Sequence, residues 1–401
     1  IGLLSHIKKR LPYGMDDQWM VFSHYTERGW TVDNLWHIFT DFYGGQYAPL
    51  AFLSYLVLYA GFGYDPFYFH MFSLLLHIGC VCLVWKLISS LLRVHGGVSE
   101  KQILYVNFIT TLLFAVHPIN VEAVAWISAL KVLLYAFFYL LGLLCYLRYI
   151  RTSKIFYYVL TIGCFLCSFW GKEQAVTFPL ALLIVDWFTN RNMKNLEVWS
   201  EKMSFLIMAF FFGIITVLSQ GKGPYEMIFP LYQRLLFGCF ALVEYITKSL
   251  LPVNLNFFYP FPIVLGEEPP LHYYLYPVVL LFLMGWIIAY RNNRYLVFGV
   301  LLFLVNLLFS IHLFNMSRHA IVADRYMYLS YVGIVFLIAN GIWWLRKRLS
   351  YFKAALVFLF FYCFFLSVYT FHYTKKWENT TMVKKYTKEV LEKRLNGSNH
   401  L

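Results

Sequence analysis

Two adjacent carboxylates, Asp16 and Asp17, stand in "YGMDDQW" (13–19), in a chain that otherwise contains little charge. An ionised carboxylate can accept the proton of an attacking hydroxyl group. Two neighbouring carboxylates also repel each other, which raises the pKa of one of them towards neutral pH. Because adjacent side chains of an extended loop point in different directions, we expect one to act as the base. The other would orient it, or bind the acceptor or a cation.

Further ionisable residues occur in three other short stretches, "FAVHPINVEAVAW" (114–126), "WGKEQAVTFP" (170–179) and "SRHAIVADRYMYL" (317–329). Lysine and arginine can hold the negative charge that builds on a departing phosphate. Such residues often anchor helix ends at the membrane interface, but anchoring alone requires no carboxylates. Together with the aspartate pair, the stretches predict transfer of a sugar from a lipid phosphate. Their ionisable residues are His117, Glu122, Lys172, Glu173, Arg318, His319, Asp324 and Arg325.

The composition is that of an integral membrane protein. Of the 401 residues, 60% are hydrophobic and 13% are charged, against about 25% charged residues in an average soluble protein. The net charge of +13 does not indicate nucleic-acid binding, because the lysines and arginines stand in short clusters between apolar runs. The seven cysteines lie inside apolar segments, so we expect neither a disulfide framework nor cysteine ligands for a metal.

Long apolar runs predict an all-α bundle that crosses the membrane about ten times. The predicted spans cover residues 65–92, 101–117, 131–150, 155–170, 175–189, 203–219, 272–290, 295–312, 328–345 and 354–372. Every second connection is basic, and such connections lie in the cytoplasm. Their basic residues are Arg93, Lys101, Arg148, Arg151, Lys154, Arg191, Lys194, Lys202, Arg291, Arg294, Arg346, Lys347, Arg348 and Lys353. The aspartate pair and the other three stretches are therefore expected on the outer side.

The segment 230–251 is apolar enough to cross, but a crossing here would invert every later connection. We therefore expect it to be re-entrant or to lie along the outer interface, with Glu244 and Lys248 facing protein or water. The following "VNLNFFYPFP" (253–262) contains prolines that preclude a helix, and it either covers the donor or is a plain connector. The N-terminal "IGLLSHIKKRL" is too short and too basic to span, so we expect a further helix before it.

Five motifs resemble, in the same order, those of the GT-C integral-membrane glycosyltransferases. In particular they resemble the branch with tetratricopeptide repeats, which includes protein O-mannosyltransferases. The motifs are "MDDQW", "LWHIFTDFYGGQYAPLAFLSYLVLYAGFGYDPFYFHMFSLLLHIG", "LLFAVHPINVEAVAWIS", "WGKEQAVTFPLALLIVDW" and "ADRYMYLSYVGI". The resemblance implies a GT-C fold of about ten to twelve transmembrane helices, with juxtamembrane helices in the first outer loop, 13–64. One of these helices is expected at 47–62.

The resemblance also implies a polyprenyl-phosphate-linked sugar donor and inversion at the anomeric carbon. By position, Asp16 matches the catalytic base and Asp17 its partner, while His117 and Glu122 match an HPxxxE element. Arg325 is the strongest candidate for the donor phosphate, because a guanidinium can bind two oxygens at once. The predicted site comprises catalytic Asp16, Asp17 and Glu122; donor-phosphate-binding Arg325, Lys172, Lys131 and Arg318; and substrate-binding His117, Glu173, His70, Asp324, Tyr47 and Trp126.

Two features depart from the family pattern. Many relatives have an acidic residue after the lysine that matches Lys131, where this chain has Val132. The tail, 373–401, is a basic amphipathic segment without a tetratricopeptide repeat, so the repeats are either missing or were removed. We therefore divide the chain into a transmembrane catalytic domain, 1–372, and a tail on the outer side, 373–401.

No cofactor is predicted with certainty. His70 and His77 stand seven residues apart on one helix face, but without a third ligand we favour polar helix contacts over a metal site. Asp16, Asp17 and Glu122 could together hold a divalent cation, which we do not favour. Trp19, Tyr47 and Trp126 are candidates for stacking on a sugar.

The leading hypothesis is transfer of a sugar from a polyprenyl-phosphate donor to serine or threonine hydroxyls of an exported protein. A second hypothesis keeps the donor and delivers the sugar to lipid A, another glycolipid or a glycan. A third is a transporter or flippase of lipid-linked sugar, which would require charged residues along a path across the bilayer or internal repeats. The expected partners are the lipid donor, the acceptor and membrane lipids. We favour a bacterial inner membrane with a periplasmic site over an endoplasmic reticulum with a lumenal site.

Overall fold

The structure, a computed structural model, describes residues 16–220, 229–313 and 320–398. Over these residues the chain is all-α, as predicted, and β structure is limited to two isolated bridges, Tyr43 with Gln46 and Tyr259 with Val322. A helix satisfies its own backbone hydrogen bonds, which apolar segments need in lipid. The chain is therefore a multi-pass integral membrane protein.

Four helices form the first segment before the bundle: α1 (Asp17–Met20), α2 (His24–Glu27), α3 (Val32–Thr40) and α4 (Pro49–Phe62). Thr31 caps α3 by accepting a hydrogen bond from the Asn34 backbone N–H at 3.1 Å. Pro49 stands at the first position of α4, where its missing N–H costs nothing. The helix predicted at 47–62 is thus confirmed.

The bundle itself begins with α5 (Pro66–His95), α6 (Glu100–Val116), the short α7 (Val121–Ala125) and α8 (Leu130–Thr152). It continues with α9 (Ile155–Gly171), α10 (Phe178–Phe188), α11 (Leu196–Gln220), α12 (Leu231–Leu250) and α13 (Leu275–Ala289). The last helices are α14 (Arg294–Leu307), α15 (Met327–Trp344), α16 (Leu349–Lys376) and α17 (Thr380–Ser398).

All ten predicted spans contain a helix, but they differ in length. In the described part of the chain, six helical segments are long and apolar enough to cross a membrane, and α6 with the turn that follows it makes a seventh at a bend of 51°. Helices α9, α10 and α14 have 17, 11 and 14 residues, fewer than the roughly 20 that cross a bilayer. The number of ten to twelve crossings stays a prediction.

Helix α8 is the centre of the bundle and packs against α5 and α9. Helices α14 and α15 approach closely at two glycines, because a Cβ on Gly333 would lie 2.5 Å from the Gly299 carbonyl oxygen. Helices α13 and α16 expose most of their apolar side chains, as lipid-facing helices do. The site described below lies where α6 ends and where α8 and α15 begin. The C-terminal ends of α5 and α8, which lie away from this site, carry basic residues.

The segment 230–251 contains one continuous helix, α12, and Lys248 on it is buried in protein, as predicted. The following 253–262 is non-helical, as its prolines indicate. The tail helix α17 packs at the same end of the bundle as Asp17, since Trp377 and Val383 share an apolar cluster with Trp126 and Leu255. The division into catalytic domain and tail stays a prediction.

Candidate functional site

Asp16 and Asp17 open a helical turn, so the extended loop expected for them is wrong. Asp16 has helical backbone angles (φ −68°, ψ −13°), and its carbonyl accepts a hydrogen bond from the Met20 N–H at 2.9 Å. Aspartate is a favoured residue at a helix start because it matches the positive end of the helix dipole. The turn still separates the two carboxylates, which have different surroundings.

Asp17 is buried and fully hydrogen-bonded. Its Oδ1 accepts from the Ser128 backbone N–H at 3.1 Å and from the Ser128 hydroxyl, and its Oδ2 accepts from Trp126 Nε1 at 3.3 Å. Burial raises the pKa of Asp17 to about 6, and these hydrogen bonds oppose the rise. Asp17 therefore fastens the first segment to the turn Ile127–Ala129.

Asp16 has a different environment. Its side chain is partly exposed, and no described group donates a hydrogen bond to its carboxylate. Its charge acts on both Lys131 and Arg325, which places it within electrostatic range of two cations. Of the two carboxylates, Asp16 is thus the one available to a substrate hydroxyl.

Glu122 binds Arg325 through both carboxylate oxygens. Oε1 forms an ion pair with Arg325 Nη1, and Oε2 accepts from the Arg325 backbone N–H at 2.7 Å. The Glu122 side chain is wholly buried, whereas that of Arg325 is 19% exposed. The guanidinium also lies 5.3 Å from the Trp126 ring centroid. Glu122 thus positions Arg325, and part of the Arg325 side chain stays accessible.

The residue before Arg325 is held in place by a second set of contacts. Asp324 is buried, forms an ion pair with Lys248 at 3.1 Å, and accepts hydrogen bonds from the Tyr259 hydroxyl at 3.0 Å. The Tyr259 carbonyl in turn accepts from the Ile321 N–H at 2.9 Å. The proline-containing segment 253–262 therefore packs against the Arg325 segment, and Asp324 has a fixing role at the position where a substrate contact was predicted.

Lys172 is a buried cation beside Arg325. Its Nζ lies 4.7 Å from the centroid of the Tyr326 ring, and Arg325 contacts the same ring at 5.1 Å. Among the described residues Nζ has no hydrogen-bond partner. Burial lowers the pKa of Lys172 to about 8, and the neighbouring Glu173 opposes the change. A buried ammonium without an acceptor is a suitable partner for an anionic ligand.

Lys131 is a third cation near Arg325. Its ammonium donates to the Gln46 side-chain oxygen and lies 3.7 Å from Met20 Sδ. Gln46 follows α3, so this contact joins the first segment to the start of α8. Lys131, Lys172 and Arg325 thus form a cationic group that shares one end of the bundle with Asp16.

The remaining predicted residues have varied positions. His117 is buried, and its Nδ1 caps the following turn by accepting from the Ile119 N–H at 3.2 Å. Trp126 is buried behind Arg325, and the Tyr47 hydroxyl donates to the Phe39 carbonyl at 2.9 Å. Glu173 is half-buried beside Lys172. Arg318 and His319 lie outside the described residues.

The two histidines of α5 have different surroundings. His77 hydrogen-bonds the Tyr328 hydroxyl at 2.7 Å, a polar contact between helices of the kind favoured over metal binding. His70 is half-buried and has no hydrogen bond within the described ranges. No group of three or more metal-ligating side chains gathers anywhere in 16–220, 229–313 or 320–398.

Four residues of the site were not predicted from the sequence, namely Gln46, Ser128, Tyr326 and Tyr259. The first three stand inside the motifs quoted above, so their positions could have indicated the site. Their residue types did not, because amide, hydroxyl and phenol side chains are common as structural groups. Tyr259 stands outside those motifs, in the segment that was left open between cover and connector.

Comparison with known proteins finds several relatives, among them the following three. Protein O-mannosyl-transferase TMTC2 of Mus musculus is 32% identical over 189 residues, 43% of this chain and 21% of the relative. The Homo sapiens protein of the same name is 33% identical over 189 residues, again 43% and 21%. Protein O-mannosyl-transferase Tmtc3 of Drosophila melanogaster is 28% identical over 172 residues, 38% and 18%. The chain is similar to animal protein O-mannosyl-transferases.

This similarity confirms the resemblance that the five motifs indicate. The matched region spans about a fifth of the length of these O-mannosyl-transferases. No family model matches the chain. No solved structure matches it either.

Proposed function

We propose that this chain is a membrane glycosyltransferase that moves a sugar, mannose in the first instance, from a polyprenyl phosphate to serine or threonine hydroxyls of an exported protein. One observation carries the proposal. A carboxylate with no described hydrogen-bond donor, Asp16, stands within electrostatic range of Arg325 and Lys131. Lys172, whose ammonium has no hydrogen-bond partner among the described residues, contacts the same Tyr326 ring as Arg325. A base and a phosphate-binding group are the two parts that this reaction needs.

The proposed reaction is a single displacement. The acceptor oxygen forms a bond to the anomeric carbon while the bond from that carbon to the phosphate oxygen breaks. The hydroxyl proton moves to Asp16, and the electron pair of the broken bond stays on the phosphate. Attack from the face opposite the phosphate inverts the anomeric carbon.

The cations have distinct parts in this scheme. Arg325, held by Glu122 at Nη1, meets two phosphate oxygens with its remaining N–H groups. Lys172 neutralises the charge that grows on the phosphate as the sugar leaves, and burial strengthens this interaction. Lys131, bound to Gln46, adds positive charge nearer the first segment. Asp17 keeps the turn that carries Asp16 in place.

The names of the relatives support mannose as the sugar and protein as the acceptor. The donor class follows from the family resemblance and from the position of the cations at a membrane face, where a lipid phosphate can reach them. We place the site on the outer side, and retain the periplasmic face of a bacterial inner membrane as the proposed location.

The test is mass spectrometry of exported proteins and glycolipids from cells that contain the wild-type chain or Asp16→Asn. Asp33→Asn is the matched control, since Asp33 is 75% exposed and lies outside the site. We expect hexose on serine and threonine residues with wild type and Asp33→Asn, and none with Asp16→Asn. Hexose on glycolipid alone would contradict the protein acceptor, and unchanged protein hexose in Asp16→Asn would contradict the base.

A further inference from the structure

A cavity of about 1130 Å³ lies at the end of the bundle away from Asp16. It is formed by the last turns of α5 and α8, the start of α6, and Tyr157 on α9. Helix α6 runs from Glu100 at this cavity to Val116 beside the candidate site, and its 17 residues span about 25 Å. The cavity is therefore separate from the candidate site and opens at the opposite membrane face.

Positive charge dominates the rim. Five basic residues line the cavity against one acid, Glu100, which pairs with Arg93 at 3.1 Å. The other four basic residues have no carboxylate within ion-pair distance in the described part of the chain. They are Lys86, Lys101, Arg148 and Arg151.

Two polar residues lie deeper. Lys86 precedes Arg93 by seven residues and Asn107 follows Glu100 by seven, so each lies roughly 10 Å further into the membrane than the rim. The Asn107 amide donates to Ser89 Oγ at 2.6 Å, but its Oδ1 is buried and has no described partner. The Asn107 side chain is only 1% exposed. This burial closes Asn107 off from a ligand, whereas Lys86 is exposed, and an ionisable residue at this depth is costly unless an anion meets it.

Apolar side chains complete the cavity. Leu83, Leu104, Leu141 and Leu144 line it, and Leu104 is 57% exposed. The cavity thus combines cations at the membrane surface with an apolar wall that extends into the membrane. This is the pattern of a lipid, with a charged head and hydrocarbon chains, and not that of a free soluble anion.

We propose that this cavity binds one phospholipid with an anionic headgroup. The phosphate lies against Lys86 and Arg148, and an acyl chain packs deeper in the membrane on Leu83 and Leu144. The lipid comes from the leaflet at the basic connections. This inference stands independently of the proposed transferase activity.

The experiment is a lipid titration of the detergent-purified full chain, followed by native mass spectrometry. Wild type is expected to bind one phosphatidylglycerol in preference to phosphatidylcholine. Lys86→Gln and Arg148→Gln are each expected to weaken this binding about tenfold, the value of one lost charged contact. The matched control is Lys154→Gln, an exposed base at the same end that does not line the cavity. It should bind as wild type does.

Two further probes separate the parts of the proposal. Phosphatidylmethanol keeps the phosphodiester charge with a different headgroup, so wild type should bind it as it binds phosphatidylglycerol, and Lys86→Gln should weaken the binding of both. Inorganic phosphate at the same concentration should not displace the lipid. Displacement by inorganic phosphate, equal binding of phosphatidylcholine, or equal weakening in Lys86→Gln and Lys154→Gln would overturn the proposal. Thermal unfolding of each variant shows that it is folded.

Discussion

Glu122 holds Arg325 at two points, by an ion pair to the guanidinium and by a 2.7 Å hydrogen bond from the Arg325 backbone N–H. The two residues are 203 positions apart in the chain. Their contact joins α7 to the turn before α15, and it fixes both the position of the Arg325 backbone and the direction of its side chain.

The first prediction concerns this pair. In Glu122→Gln the side-chain amide N–H faces an N–H donor of Arg325 where a carboxylate oxygen accepted before, so the Arg325 side chain loses its alignment. We expect transfer to fall at least about tenfold and stability to fall by about 3–5 kcal/mol, as for a buried ion pair with one partner removed. Thermal unfolding and kcat/KM on the same samples measure the two effects.

A double variant provides the control for that prediction. Glu122→Gln with Arg325→Gln should be less destabilised than the sum of the single variants, because neither charge is then left buried alone. Additive losses would mean that the two side chains do not interact.

The second prediction concerns pH. Burial lowers the pKa of Lys172 to about 8, and only its protonated form can neutralise the donor phosphate. The contribution of Lys172 to donor affinity should therefore be constant below pH 8. Above pH 8, donor affinity should fall by up to about tenfold per pH unit. Donor binding between pH 6 and 10 measures this dependence.

Lys172→Met should bind the donor more weakly and lose the decline above pH 8, because it has no proton to release. Lys172→Arg should keep tight binding throughout the range, since arginine stays charged. The same decline in Lys172→Met as in wild type would assign the titration to another group.

The third prediction concerns helix packing. A Cβ at Gly333 would lie 2.5 Å from the Gly299 carbonyl oxygen, whereas a Cβ at Gly341 on the same helix meets nothing within 4 Å. Gly333→Ala should destabilise the protein by about 1–3 kcal/mol through overpacking. Gly341→Ala should be neutral or stabilising by up to about 1 kcal/mol. Equal melting temperatures for the two variants would contradict the close approach of α14 and α15.

The fourth prediction concerns topology. Leu265 and Lys347 are both exposed, and the positive-inside pattern assigns them to opposite sides of the membrane. Single cysteines at these positions, in a background without the seven native cysteines, should react with an impermeant reagent from opposite sides. Reaction at 265 from the cytoplasm and at 347 from the outside would show that α12 crosses the membrane, because a crossing before both positions inverts both of them.

The sequence predicted most of the helices and several residues of the site, for identifiable reasons. Apolar runs bounded by basic clusters locate membrane helices because lipid penalises both charge and unpaired backbone. Asp16, Glu122, Lys172 and Arg325 were chosen as candidates because ionisable residues are rare in such a chain, and Lys131 was added from the family resemblance.

What the sequence could not give is which ionisable residues pair with each other. Asp17 and Asp324 both matched substrate chemistry, yet each is bound by distant groups, Ser128 for the first and Lys248 for the second. Pairing depends on how helices far apart in the chain come together, and composition carries no record of that. Helix ends have the same limit, since α10 starts only after a tight turn at Glu173–Thr177.

The most direct measurement is in vitro transfer by purified Asp16→Asn, from a polyprenyl-phosphate sugar to an acceptor peptide, with donor binding measured on the same sample. The account predicts a loss of kcat of about 10²–10⁴-fold, unchanged donor affinity, and wild-type activity in Asp33→Asn. Transfer by Asp16→Asn within a few-fold of wild type would contradict the assignment of Asp16 as the base.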